Sequence, residues 1–122
     1  MTKLCKRILI VEDYVDLHDV YRTCVGRHHD YDIAISAKEA IALISSEEEY
    51  DHILCDYHLA GGSNGVEVYN WVRINRPQLL DEAFVFLCGA MDKVADFGVK
   101  ILSKGDIRAL QTLIDPSRHS NM

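Results

Sequence analysis

The feature that most constrains this chain is an alternation between two kinds of apolar pattern. Short continuous runs, RILIV (7–11), HILC (52–55), AFVFLC (83–88) and VKILS (99–103), with YDIAI (31–35) a weaker fifth, are separated by stretches whose apolar residues recur at helical spacing. Runs this short, rich in Ile, Val and Phe, are the pattern of strands covered on both faces, as in parallel sheets. After the first run, Leu17, Val20, Tyr21, Cys24 and Val25 fall at i, i+3, i+4, i+7 and i+8, which predicts a helix ending near Gly26. Ser36 with Glu39 reads as a capping box, and Ala37, Ala40, Ile41 and Ile44 continue it as a second amphipathic helix. A third helix begins after Asn64, with Val68, Tyr69 and Val72 inward and Pro77 just beyond its end. MDKVADF (91–97) has room for only a short fourth, and a fifth is expected from about Asp106 to Ile114.

Strands and helices that alternate with short connections imply an α/β fold: a parallel sheet with right-handed crossovers and helices on both faces. A length of 122 residues with 48% hydrophobic content suits one domain with its own core. The domain is expected to span 1–115, with 116–122 a polar flexible tail or the start of a linker. A net charge of -6 without a basic run argues against nucleic acid or an anionic membrane as a direct partner. The opening MTKLCKRILIVED is broken too quickly by acids to be a secretory signal or a membrane span, so a cytoplasmic protein is expected. Cys5, Cys24, Cys55 and Cys88 show no C-x-x-C spacing and read as reduced thiols. His28 and His29 read as surface residues, and Trp71 as half-buried packing at the edge of the third helix's stripe.

In an open parallel sheet, ligands bind outside the carboxyl ends of the strands, near the point where strand order reverses. Glu12 and Asp13 follow the first run, Asp56 ends the third, Cys88 ends the fourth and Lys104 follows the fifth, so all five should gather on one edge. Three carboxylates so close repel, which raises at least one pKa unless a cation neutralises them. Magnesium prefers oxygen ligands and is usually held by one or two carboxylates together with phosphate oxygens. Such a site supports phosphoryl transfer, in which a carboxylate can be the nucleophile and form an aspartyl phosphate.

The pieces ILIVED around Glu12 and Asp13, ILCDYHLAGGSNG around Asp56, FLCGA around Cys88 and ILSKG with Lys104 together resemble the receiver domain of two-component response regulators. The resemblance runs in the right order over essentially the whole chain. It implies the flavodoxin-like doubly wound fold with strand order 2-1-3-4-5, an order the flavodoxin-like receivers exemplify. It also implies that Asp56 accepts a phosphoryl group from a histidine kinase or histidine phosphotransfer protein, and that the signal passes to a downstream protein partner or fused output domain. Glu12, Asp13, Asp56 and the backbone carbonyl of His58 would hold Mg2+, and Lys104 would pair with the phosphoryl oxygens as a point charge. The glycines of 61–65 would let the chain turn sharply beside the site. On this reading the domain is a phosphoacceptor rather than an enzyme with a separate substrate.

Four departures from the family pattern qualify the switch. Cys88 stands where the family usually has Thr or Ser, and a thiol is a weak donor. Ile101 stands where an aromatic ring is usual. Gly105 follows Lys104 in place of a proline, so a trans bond and a reshaped loop are expected, since a cis bond before a non-proline residue costs roughly 3 kcal/mol. The segment from Cys88 to Gly98 is short for the family, so the helix within it should be short or irregular. These changes motivate an alternative, a receiver-like interaction module whose output is independent of phosphorylation. A phosphatase of the haloacid dehalogenase kind is disfavoured, because its second carboxylate would fall at His58.

Overall fold

The computed structural model describes residues 5–25, 28–46, 49–58, 65–89 and 98–116. Five parallel strands form one sheet: β1 (Arg7–Val11), β2 (Asp30–Ala34), β3 (His52–Asp56), β4 (Phe84–Cys88) and β5 (Lys100–Ser103), in the spatial order β2-β1-β3-β4-β5. The expected doubly wound architecture is therefore present. The order reverses between β1 and β3, where Val11 is in register with Cys55. The crevice beyond their carboxyl ends is the place where this fold binds ligands.

Among the described residues, five helices cover the sheet: α1 (Val15–Val25), α2 (Ala37–Ser45), α3 (Gly65–Asn75), α4 (Gln78–Glu82) and α5 (Ile107–Ile114). Side chains of successive strand residues alternate between faces, and the core divides accordingly. Leu9, Val11, Ile53, Cys55, Phe84 and Phe86 pack under α2, α3 and α4. Ile8, Ile10, Leu54, Val85 and Leu87 pack under α1 and α5 with Tyr21, Cys24, Leu110 and Ile114. Each such side chain removed from water contributes roughly 1.5–3 kcal/mol, so both layers hold the sheet in place.

The helix starts follow the sequence signals closely. Ser36 Oγ accepts the Glu39 N–H at 3.1 Å, while the Glu39 carboxylate reaches back to the N–H of Ile35 rather than of Ser36. Asp106 caps α5 by accepting the Ala109 N–H at 3.0 Å. Pro77 ends α3 as expected, but it also opens α4, a short helix that the residue pattern did not announce. MDKVADF and the tail from 117 lie outside the described residues, as does the glycine loop up to Asn64.

Two residues depart from their expected places. Val20 sits at the exposed edge of α1, and the inward face is made by His18, Tyr21, Cys24 and Val25. His29 is buried rather than on the surface. Its Nδ1 accepts the Lys6 N–H at 3.0 Å, so the proton rides on Nε2, which donates to Asp115 at 2.8 Å. That bridge ties the entry of β1 to the end of α5, a long-range contact invisible to local spacing. His28 is exposed and Trp71 is half-buried, as expected. Cys5 is exposed, Cys24, Cys55 and Cys88 are buried, and all are free thiols. Among the described residues no helix is long and apolar enough to cross a membrane.

Candidate functional site

The sheet delivers the expected residues to one edge by extending its own ladder one step past each strand. The Glu12 N–H bonds the Ala34 carbonyl at 2.9 Å, the Tyr57 N–H bonds that of Leu87 at 3.0 Å, and the Lys104 N–H bonds that of Cys88 at 2.9 Å. Backbone pairing thus fixes the Cα positions on either side of the crevice. Glu12 and Asp56 share the parity of Ile10 and Leu54, so both carboxylates leave the sheet on the α1 side.

Carboxylate oxygens of Glu12, Asp13 and Asp56 lie within 4.8 Å of one another. Glu12 is fully buried and Asp56 is 3% exposed, while Asp13 is half-buried. Lys104 bridges the buried pair: its Nζ lies 2.9 Å from Asp56 Oδ2 and 3.0 Å from Glu12 Oε1. Asp56 Oδ1 accepts the His58 N–H at 3.2 Å. The Gly65 N–H, at the head of α3, donates to the Tyr57 carbonyl at 2.8 Å and brings that helix against the end of β3.

The electrostatics follow from this crowding. Burial pushes the Glu12 carboxyl upward and the charge of Asp56 adds to the rise, outweighing the hydrogen bonds from Lys104 and Tyr14 that lower it. Burial alone would lower the Lys104 ammonium, but hydrogen bonds and charge from Asp56 and Glu12 together raise it. Three carboxylates thus gather around the Lys104 ammonium. An all-oxygen, hard donor set of this kind fits a divalent cation such as magnesium better than a softer metal.

Sequence reasoning placed Glu12, Asp13, Asp56 and Lys104 together, and they are together. His58 is beside Asp56 through its N–H, on an exposed residue whose ring meets Tyr57 edge-on at 5.0 Å. Cys88 ends β4 buried in the α2/α3/α4 layer. Ile101 is 43% exposed on the edge strand β5. Among the described residues there is no cis peptide, so Lys104–Gly105 is trans as expected. Two residues at the site were not anticipated as polar partners: Tyr21, whose hydroxyl reaches Glu12, and His18, whose Nε2 reaches the Glu12 carbonyl. Their spacing at i, i+3 on one face of α1 was the available signal.

No protein-family model matches the chain, and no curated protein shows significant sequence similarity to it. Solved structures are similar to it in fold. The receiver domain of a sensor histidine kinase from Pseudomonas aeruginosa, which carries a magnesium ion in its active-site cleft, matches with a TM-score of 0.73 at 18% identity, over 91% of this chain and 95% of that one. The receiver domain of a Francisella response regulator matches at 0.69 and 22% identity, over 91% and 94%. The N-terminal domain of a three-domain response regulator, sensory box and GGDEF protein from Carboxydothermus hydrogenoformans matches at 0.67 and 21%, over 93% and 100%. The chain therefore has the fold of response-regulator receiver domains over nearly its whole length.

Proposed function

We propose that this chain is a phosphoacceptor receiver domain of two-component signalling. The observation that carries the reading is the buried Asp56 carboxylate, held at 2.9 Å by Lys104 inside an acidic cluster with Glu12 and Asp13. An acid with only a structural task needs one partner, whereas this one sits within 4.8 Å of two further carboxylates. In the proposed reaction an Asp56 oxygen attacks the phosphorus of a phosphohistidine on a histidine kinase or phosphotransfer protein. The new P–O bond forms as the P–N bond breaks, and the imidazole leaves with the electron pair and takes up a proton. Lys104 would pair with the phosphoryl oxygens. Glu12, Asp13, Asp56 and the His58 carbonyl would hold magnesium, which supplies charge neutralisation for the transferring group. The phosphorylated domain would then bind a downstream protein or a fused output domain differently, as the multidomain relative's architecture suggests.

Incubation with magnesium and acetyl phosphate is expected to add one phosphoryl group to the wild-type protein, seen as a hydroxylamine-labile mass increase, and none to Asp56→Asn. Absence of an acyl phosphate on Asp56 with that donor and with a phosphorylated histidine phosphotransfer protein would overturn the proposal.

One observation favours the alternative of a phosphorylation-independent interaction module. Cys88 is buried with a weakly donating thiol and Ile101 stands exposed, so the hydroxyl and aromatic ring that usually relay the signal are both missing. Beryllofluoride with magnesium separates the two readings by amide NMR. Shifts that extend from the site to β5 and α5 support a switch, and shifts confined to the site together with unchanged partner affinity support the module.

A further inference from the structure

Glu12 is secured by more contacts than its place in the sheet requires. Its Oε1 accepts the Tyr21 hydroxyl at 3.2 Å and Lys104 Nζ at 3.0 Å, and its Oε2 accepts the Tyr14 N–H at 3.2 Å. Its backbone carbonyl meets His18 Nε2 at 2.7 Å; a carbonyl only accepts, so that nitrogen carries the proton. Tyr21 is 2% exposed, with its ring packed among Ile8, Ile10 and Leu54 in the α1/α5 layer. A phenylalanine would fill that space equally well, yet the chain carries a hydroxyl there whose partner is the Glu12 carboxylate. A carboxylate oxygen only accepts, so the Tyr21 hydroxyl is the donor of this bond.

The two donors on Oε1 are not equivalent. Lys104 is shared with Asp56 and has a flexible stem, so its bond to Glu12 is given up if it turns toward another anion. Among the described residues Tyr21 has no such competing acceptor, and it is fixed by packing. With Oε1 occupied, Oε2 takes only the Tyr14 N–H and keeps acceptor capacity, because an ionised carboxylate offers about four lone-pair sites in all. We propose that Tyr21 is a positioning residue: its hydroxyl fixes the rotation of the Glu12 carboxylate so that Oε2 is available to a hard divalent cation, with His18 securing the backbone behind it. This rests on the reading that the acidic cluster binds magnesium. Partners that orient metal ligands typically matter by 10–100-fold in metal affinity.

The test is a magnesium titration without phosphodonor, followed by amide NMR, on wild type, Tyr21→Phe, Glu12→Gln and the double variant. Tyr21→Phe keeps the ring, and is expected to weaken magnesium binding about tenfold. In the Glu12→Gln background the same change is expected to alter affinity by no more than about twofold, because the coupling runs through Glu12. Wild-type affinity in Tyr21→Phe overturns the inference alone, as does an equal loss in both backgrounds, which marks a packing effect. Absence of binding by wild type overturns the cation reading and this inference with it. If Tyr21→Phe fails to fold, His18→Gln and His18→Leu replace it, and equal affinities for these two count against the inference.

Discussion

Gly65→Ala is expected to destabilise the protein by about 3 kcal/mol or more, a large loss for a single methyl group. A Cβ at this position would lie 2.4 Å from the Asp56 backbone oxygen, 3.0 Å from a Phe86 ring carbon and 3.1 Å from Cys55 Sγ. The first of these is backbone at the carboxyl end of the central strand β3, and the other two belong to buried core side chains, so none moves aside cheaply. Relief requires the head of α3 to retreat from β3, which breaks the Gly65 N–H bond to Tyr57 and displaces the residue next to Asp56. Urea unfolding should show a lower midpoint with little change in slope. Gly105→Ala is the matched control: nothing lies within 4 Å of its Cβ position and its φ is outside the left-handed region. It should stay within about 0.5 kcal/mol of wild type. A Gly65→Ala protein as stable as the Gly105→Ala one would show that α3 does not depend on this close approach.

Gly65 also illustrates which information the sequence carries. The glycines after Asp56 were readable as a signal for a sharp turn, but the need at Gly65 is for close packing against a strand, which only the placement of α3 defines. The strands were legible because parallel-sheet strands are apolar on both faces, and five such runs leave little choice of architecture. Glu12, Asp13, Asp56 and Lys104 were legible because the carboxyl ends of those strands converge. His29 was misread because its partners, Lys6 and Asp115, lie at opposite ends of the chain and meet only when β1 and α5 are packed. His18 was missed for a related reason. Its ring is polar by type but spends its hydrogen bond on the Glu12 carbonyl, which lets it occupy the inward face assigned to Val20. The signal read from hydropathy alone fails where a polar side chain meets a backbone group at the end of a strand.

His52 leads to the second large effect, a loss of stability in mild acid of on the order of 3 kcal/mol. Its side chain is buried at the start of β3, neither ring nitrogen has a hydrogen-bond partner, and it shares a hollow with Leu80, Phe84, Val85 and Leu113. Burial disfavours the imidazolium most, and the positive charge of Lys6 adds to this. Asp51 and Asp115 oppose the shift, His29 reinforces it, and the result is a pKa lowered from 6.5 to about 4. The unfolded chain therefore binds a proton that the native state refuses. The stabilisation is complete above pH 6.5, falls as the pH drops through that value, and is exhausted near pH 4. At 1.36 kcal/mol per pKa unit the total reaches the size stated. Carboxylates also titrate toward the lower end of this window, so the informative quantity is the difference between wild type and His52→Leu, measured by urea unfolding from pH 7 to pH 4. Leucine removes both the titration and two buried unsatisfied nitrogens, a burden of about 1–3 kcal/mol for such a group. The variant should thus match or exceed wild type at pH 7, and its advantage should widen steadily as the pH falls. Parallel pH profiles for the two proteins would show instead that the His52 ring gains a partner or solvent on protonation, and that the hollow beside it opens without loss of the fold.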